Sequence, residues 1–187
     1  MVKKEIRIIG IDDSPFDKFN DSQVLVVGVV MRGGSWIDGV LSTKVNVDGN
    51  DSTSKLIEMV NKSKFKPQLQ CIFLDGIAVG GFNIIDVEEL NHKTNLPVII
   101  IIRRQPDIST IKKTLIKLNK KEKIDLIEKA GNVIQVNEIF IQLTGIDLDE
   151  AKKILKIVCT RSLIPEPLRL AHLIASGIVT GESKGRA

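Results

Sequence analysis

The chain has no tyrosine, one tryptophan (Trp36), two histidines and two cysteines in 187 residues. Aromatic side chains make up only 4% of it, too few for the stacking platforms on which single-strand-binding proteins hold bases. Cys71 and Cys159 have neither a zinc-ligand spacing nor the numbers of a disulfide framework, which leaves them as packing thiols. Even the apolar run PVIIII (Pro97 to Ile102) falls far short of the roughly 20 residues a membrane-spanning helix needs. The charged start MVKKEIRIIG leads into a strand pattern and not a signal peptide. These absences predict a cytoplasmic protein that does not engage membranes.

What remains is a globular balance, 43% hydrophobic and 27% charged, over a length that suits one domain spanning residues 1–187. The net charge of +4 is mild but unevenly spread. Between Ile101 and Ala130, nine basic residues (Arg103, Arg104, Lys112, Lys113, Lys117, Lys120, Lys121, Lys123 and Lys129) face four acidic ones. Such a flank reads either as a solvated lysine-rich face or as a surface that tracks phosphates.

Periodicity orders the chain. IRIIGID (Ile6 to Asp12) is a strand, and Val24 to Val45 forms two more about a Gly33-Gly34 turn. Helical spacing at Leu56, Met59 and Val60 leads to LQCIFLD, a continuous apolar run of the buried parallel type. FNIIDVEELNHKT reads as the next helix and PVIIIIRR as another buried strand. Helices follow at about 108–118, 123–130, 148–159 and 166–176, with an edge strand near 138–142. The tail GESKGRA is too glycine-rich for a helix and too basic for a core, so it reads as a frayed end or a strand-like segment docked near the site.

Strand, hairpin, helix, strand, helix, strand predicts an α/β fold of RNase H-like order: a mixed five- or six-stranded sheet, order 3-2-1-4-5, with helices on both faces. In that order the first and fourth strands are parallel neighbours, so Asp12 and Asp75 project from their carboxyl ends into one crevice, where open α/β sheets favour ligands. Two carboxylates so placed repel each other and are far easier to hold beside a divalent cation, which makes both candidate metal ligands. Taken singly, Asp75-Gly76 and Asp12-Asp13-Ser14-Pro15 are ordinary turn sequences; their joint placement argues for a site. Gly76, Gly80 and Gly81 permit close approach of a phosphate backbone but form no nucleotide-binding motif. His172 either faces the crevice or fills the space between helix and sheet.

IGIDDSPF, LDGIAVGG, PVIIIIRR and above all LIPEPLRLAHLIA (Leu163 to Ala175) resemble endonuclease V, a magnesium-dependent enzyme that nicks nucleic acid near deaminated purines. From Ile6 to the closing tail the chain is more similar still to an archaeal relative of endonuclease V, the domain of unknown function ninety-nine family, sometimes labelled a deoxyuridine endonuclease. The resemblance implies a metal-dependent endonuclease for deaminated or damaged DNA or RNA, with Mg or Mn on Asp12 and Asp75. It further implies substrate contacts from Arg103, Arg104, Arg169 and His172, beside the phosphate approach that Gly76, Gly80 and Gly81 permit. The sequence departs from endonuclease V in lacking its proline- and glycine-rich wedge and the metal-ligand glutamate that ends it; Val45 to Lys55 reads VNVDGNDSTSK instead. Asp51 or Asp48 is then the candidate third acid, Asp51 serving equally well as a helix cap. Arg103 and Arg104 stand where endonuclease V has a catalytic lysine and keep its charge without its proton chemistry. A nucleic-acid-binding relative without catalysis, and an interaction module that pairs through its hairpin or an edge strand as a homodimer, are the other readings.

Overall fold

The computed structural model describes residues 3–183. Three strands open it: β1 (Arg7–Asp13), β2 (Gln23–Arg32) and β3 (Trp36–Asn46), paired antiparallel. After α1 (Ser52–Asn61) the chain returns as β4 (Cys71–Asp75), parallel to β1. A small separate ribbon follows, β5 (Ala78–Val79) with β6 (Asn83–Ile84), then α2 (Val87–Thr94) and β7 (Val98–Ile102), parallel to β4. Helices α3 (Ile108–Lys117) and α4 (Ile124–Lys129) precede a hairpin of β8 (Ile134–Val136) and β9 (Ile139–Thr144). Helices α5 (Leu148–Val158) and α6 (Glu166–Thr180) complete the fold.

The main sheet has seven strands in the order β3-β2-β1-β4-β7-β9-β8. The expected count of five or six and the order 3-2-1-4-5 are corrected accordingly. The β5-β6 ribbon intervenes in sequence, so the fifth strand across is β7, and the β8-β9 hairpin extends the sheet beyond it. The segment expected as an edge strand therefore lies one position inside the edge, because Ile134–Val136 is too short for periodicity to reveal. FNIIDVEELNHKT is likewise not one helix. Asn83 is fully buried, and its amide donates to Asn46 O and Asp51 Oδ1 while its oxygen accepts from Ser52 N, so these bonds take the residue into the ribbon. The helix starts only after Asp86, whose carboxylate caps Glu89 N at 2.9 Å.

β1, β4 and β7 are buried on both faces, which is why they read as continuous apolar runs. One face, carrying Ile8, Val29, Phe73 and Ile99, packs against α5 and α6; the other, carrying Ile9, Val26, Ile72 and Ile100, packs against α1 and α2. The basic flank is partly structural. Lys112 pairs with Glu128 and Lys129 with Asp86. Lys123, 3% exposed, donates to the carbonyls of Gly49 and Phe82, while Lys120 donates to that of Asp48, so two lysines fasten the loop before α1 to the ribbon. Of the tail, Gly181 ends α6 in the left-handed conformation and Ser183 Oγ donates back to Leu173 O at 2.8 Å. The rest, 184–187, lies outside the described residues.

One contact fixes how α6 sits. A Cβ on Gly10 would stand 2.5 Å from both Leu168 N and the Pro167 carbonyl carbon, so helix backbone lies directly against strand backbone. Gly10→Ala is expected to force α6 off the sheet and to destabilise the protein by about 1–3 kcal/mol, the usual cost of overpacking. Chemical denaturation checks this, and wild-type stability in the variant would show that the contact is not as close as described.

Candidate active site

The docking of α6 delivers a histidine to the carboxyl edge of the sheet. Asp12 lies two residues beyond Gly10, about 7 Å along a strand, and His172 lies four beyond Leu168, 6 Å along a helix. The matched advance sets His172 Nδ1 3.0 Å from Asp12 Oδ2. Across the sheet, the last paired couple of β1 and β4 is Ile11 with Leu74, so Asp12 and Asp75 emerge as neighbours one residue further on. Arg103, at the end of β7, turns back so that Nη2 donates to Asp75 Oδ2 at 2.8 Å. These residues line a cleft of about 640 Å³ together with Asp13, Ser14, Pro15 and Phe16.

The cleft is electrostatically strained. Burial pushes the Asp12 carboxyl up to about 8, and the negative charges of Asp75 and Asp13 push the same way, against the Asp13 backbone amide and Arg103. Asp13 is also raised, chiefly by burial, although Gly80 N–H and other donors oppose it. Three carboxylates thus gather at the carboxyl edge of the sheet, where burial first and neighbouring negative charge second disfavour the charged forms of Asp12 and Asp13.

Not every expected residue reaches this place. Asp12, Asp75, Arg103 and His172 do. Asp51 does not: its carboxylate accepts from Asn46 N, Asn46 Nδ2 and Asn83 Nδ2, locking the β3-α1 junction. Asp48 is similarly engaged by Phe82 N. Arg169 is held by Glu166, a buried acid it meets through Nε and Nη2 at 2.9 and 2.8 Å, and does not line the cleft. Arg104 is exposed outside it. Gly80 takes φ +57° and donates its N–H to Asp13 Oδ2, and a Cβ on Gly81 would strike Asp48 Oδ1, so both shape the loop. Gly76, beside Asp75, has nothing within 4 Å of where a Cβ would stand, which leaves the space next to that acid open, although none of the three glycines lines the cleft itself.

Asp13 escaped the sequence reading because alternation along β1 sends it to the face opposite Asp12. At the end of the strand both faces open onto the cleft. The Asp-Asp doublet was the available signal.

Among the described residues, no three or more His, Cys, Asp or Glu side chains converge into a ready-made metal cage. The donor set nevertheless suits a hard cation of the magnesium type, which is commonly held by one or two carboxylates with water and substrate phosphate as the remaining ligands. Asp12 and Asp75 supply that pair, and their mutual repulsion is what such a cation would relieve.

Residues 4–179 match the family Endonuclease dU. The chain belongs to the Endonuclease dU family. It is 50% identical to a UPF0215 protein of Methanothermobacter thermautotrophicus over 100% of this chain and 94% of that one. A crystal structure of an Archaeoglobus fulgidus protein of unknown function shares 41% identity and superposes with a TM-score of 0.87, covering 92% of this chain and 98% of that one. Endonuclease V of Ciona intestinalis, crystallised with a 24mer DNA containing an inosine followed by a ribo-adenosine, superposes with a TM-score of 0.55 at 22% identity, over 88% of this chain and 82% of that one. At that identity the likeness to endonuclease V carries the fold alone. No helix among the described residues of this Endonuclease dU member is long and apolar enough to cross a membrane.

The raised Asp12 carboxyl has a consequence for stability. A carboxyl whose folded value lies above its unfolded one stabilises the native state fully at low pH, and that contribution is lost as pH rises from about 4 toward 8. Asp12→Asn, which carries no charge, is expected to match wild type near pH 4 and exceed it by about 1–3 kcal/mol at pH 8 without divalent metal. Urea denaturation across this range checks it; a variant less stable than wild type at pH 8 would contradict the strain described.

Proposed function

We propose that this protein is a divalent-metal-dependent endonuclease acting on deaminated or damaged nucleic acid, with the Asp12–Asp75 cleft as its centre. The observation that carries the reading is the juxtaposition of Asp12 and Asp75 on adjacent parallel strands, with Asp12 held against ionisation by burial and its acidic neighbours. The Endonuclease dU match and the fold shared with a DNA-bound endonuclease V support it.

Asp12 and Asp75 would hold magnesium or manganese. Bound there, the ion would supply Lewis-acid polarisation of a phosphodiester and lower the pKa of water. The remaining work falls to the chain. His172, tied to Asp12 through Nδ1, can hold or pass a proton at the cleft wall. Arg103 presents a guanidinium whose fork matches phosphate oxygens. The open rim at Gly76 gives a sugar-phosphate backbone room to approach Asp75. Asp13, bonded to Gly80 N–H, ties the end of β1 to the loop that follows β4 and so keeps the rim in place.

A second reading, nucleic-acid binding without catalysis, has its own observation. Both principal carboxylates already have partners, His172 and Arg103, and neither Asp51 nor Asp48 is diverted toward them. The two readings separate in one assay. With manganese, wild type is expected to nick uracil- or inosine-containing strands, and Asp75→Asn to lose at least about a hundredfold in rate, the scale on which removing one electrostatic stabiliser acts. Strands left uncut by wild type, but bound with a salt dependence that reports phosphate contacts, would support the binding-only reading.

A further inference from the structure

We infer that Arg103 competes with the divalent cation for Asp75, so that metal and nucleic acid bind cooperatively through the position of one guanidinium. The inference rests on the metal-dependent reading above and adds its regulation.

The geometry that motivates it is local. Asp75 is level with Ile101 in the β4-β7 ladder, and Arg103 lies two residues further along the same chain, directed back to the same face. Its Nη2 reaches Asp75 Oδ2 at 2.8 Å. The arginine side chain is 34% exposed and the aspartate 19%, so the guanidinium is the more solvent-accessible partner of the pair. It lies in the cleft wall with Asp12, and its charge acts on Asp12 as well.

A cation entering beside Asp75 therefore meets a resident positive charge. The two cannot both sit close to one carboxylate without repulsion, which is strongest in a partly buried cleft. A nucleic-acid phosphate offers Arg103 an alternative: two oxygens that accept from its fork in parallel, a geometry at least as good as its bond to Asp75. When the guanidinium turns to a phosphate, Asp75 is released to the metal, and the phosphate adds its own negative charge beside it. Linkage makes the effect reciprocal, so metal must tighten nucleic-acid binding by the factor by which nucleic acid tightens metal binding. In the absence of nucleic acid the same contact keeps Asp75 paired, which lowers the affinity of the site for adventitious cations.

Manganese titration by calorimetry on the full chain tests this, with and without an undamaged oligodeoxynucleotide. Wild type is expected to bind manganese about 5- to 150-fold more tightly when the oligonucleotide is present, the usual span of coupling between sites. Arg103→Ala is expected to bind manganese more tightly than wild type when alone, and to lose most of the coupling. Arg103→Lys, which keeps the charge but not the fork, should retain weak manganese binding alone and show reduced coupling. Lys62→Ala, an exposed charge loss just past the end of α1, controls for net charge and should leave manganese affinity within about twofold at moderate salt. Equal tightening in Lys62→Ala, or unchanged manganese affinity and coupling in Arg103→Ala, would overturn the role of Arg103 while leaving the metal site standing. No manganese binding to wild type or Arg103→Ala, with or without oligonucleotide, would overturn both the coupling and the metal-dependent reading.

Discussion

The arrangement turns on the contact between Gly10 and the first turn of α6. Helix and strand backbones approach there so closely that no side chain fits, and everything downstream inherits the register this sets. Leu168 opposite Gly10 brings His172 to Asp12, because four residues of helix and two of strand advance by nearly the same distance. The Pro-Glu-Pro segment prepares the contact. Pro167 at the start of α6 gives up an amide that the helix would leave unpaired in any case, and buried Glu166 accepts from Arg161 N and from Arg169 to fix the entering loop. The segment with the most distinctive sequence is thus the one that binds the helix to the sheet and the histidine to the cleft.

Within the cleft, charge is the governing quantity. Asp12, Asp13 and Asp75 share the carboxyl edge of the sheet, and the fold answers them with Arg103, His172 and a backbone amide from Gly80. Burial first, and the charges of Asp75 and Asp13 second, hold the Asp12 carboxyl above the usual carboxylate range. On the proposed reading, the same imbalance that weakens the free protein at neutral pH becomes binding energy for metal.

Much of this was legible in the sequence because the central strands are buried on both faces and the parallel crossover places their ends predictably. The juxtaposition of Asp12 and Asp75 follows from that topology. Strand β8 and the β5-β6 ribbon were not legible, since strands of two or three residues carry no usable period and the ribbon depends on Asn83, whose bonds reach back to residues 46, 51 and 52. Asp51 misled for a related reason: an acid before Ser-Thr-Ser suits several roles, and only the distant Asn83 decides among them. Arg169 carried a distinctive motif position, yet its charge is used by Glu166, three residues before it. Which acids serve structure and which serve a site depends on partners far away in sequence, and local pattern does not encode them.

The central claim is that Asp12 and Asp75 form one cation site whose geometry is set by the docking of α6. Diffraction at the manganese edge, from crystals of the full chain soaked with manganese and a short oligonucleotide, tests it most directly. The account predicts one anomalous peak between the Asp12 and Asp75 carboxylates, within about 2.0–2.6 Å of an oxygen of each, the range for hard cations bound by oxygen. A peak bound elsewhere, or none at a manganese concentration that saturates binding in solution, would contradict it.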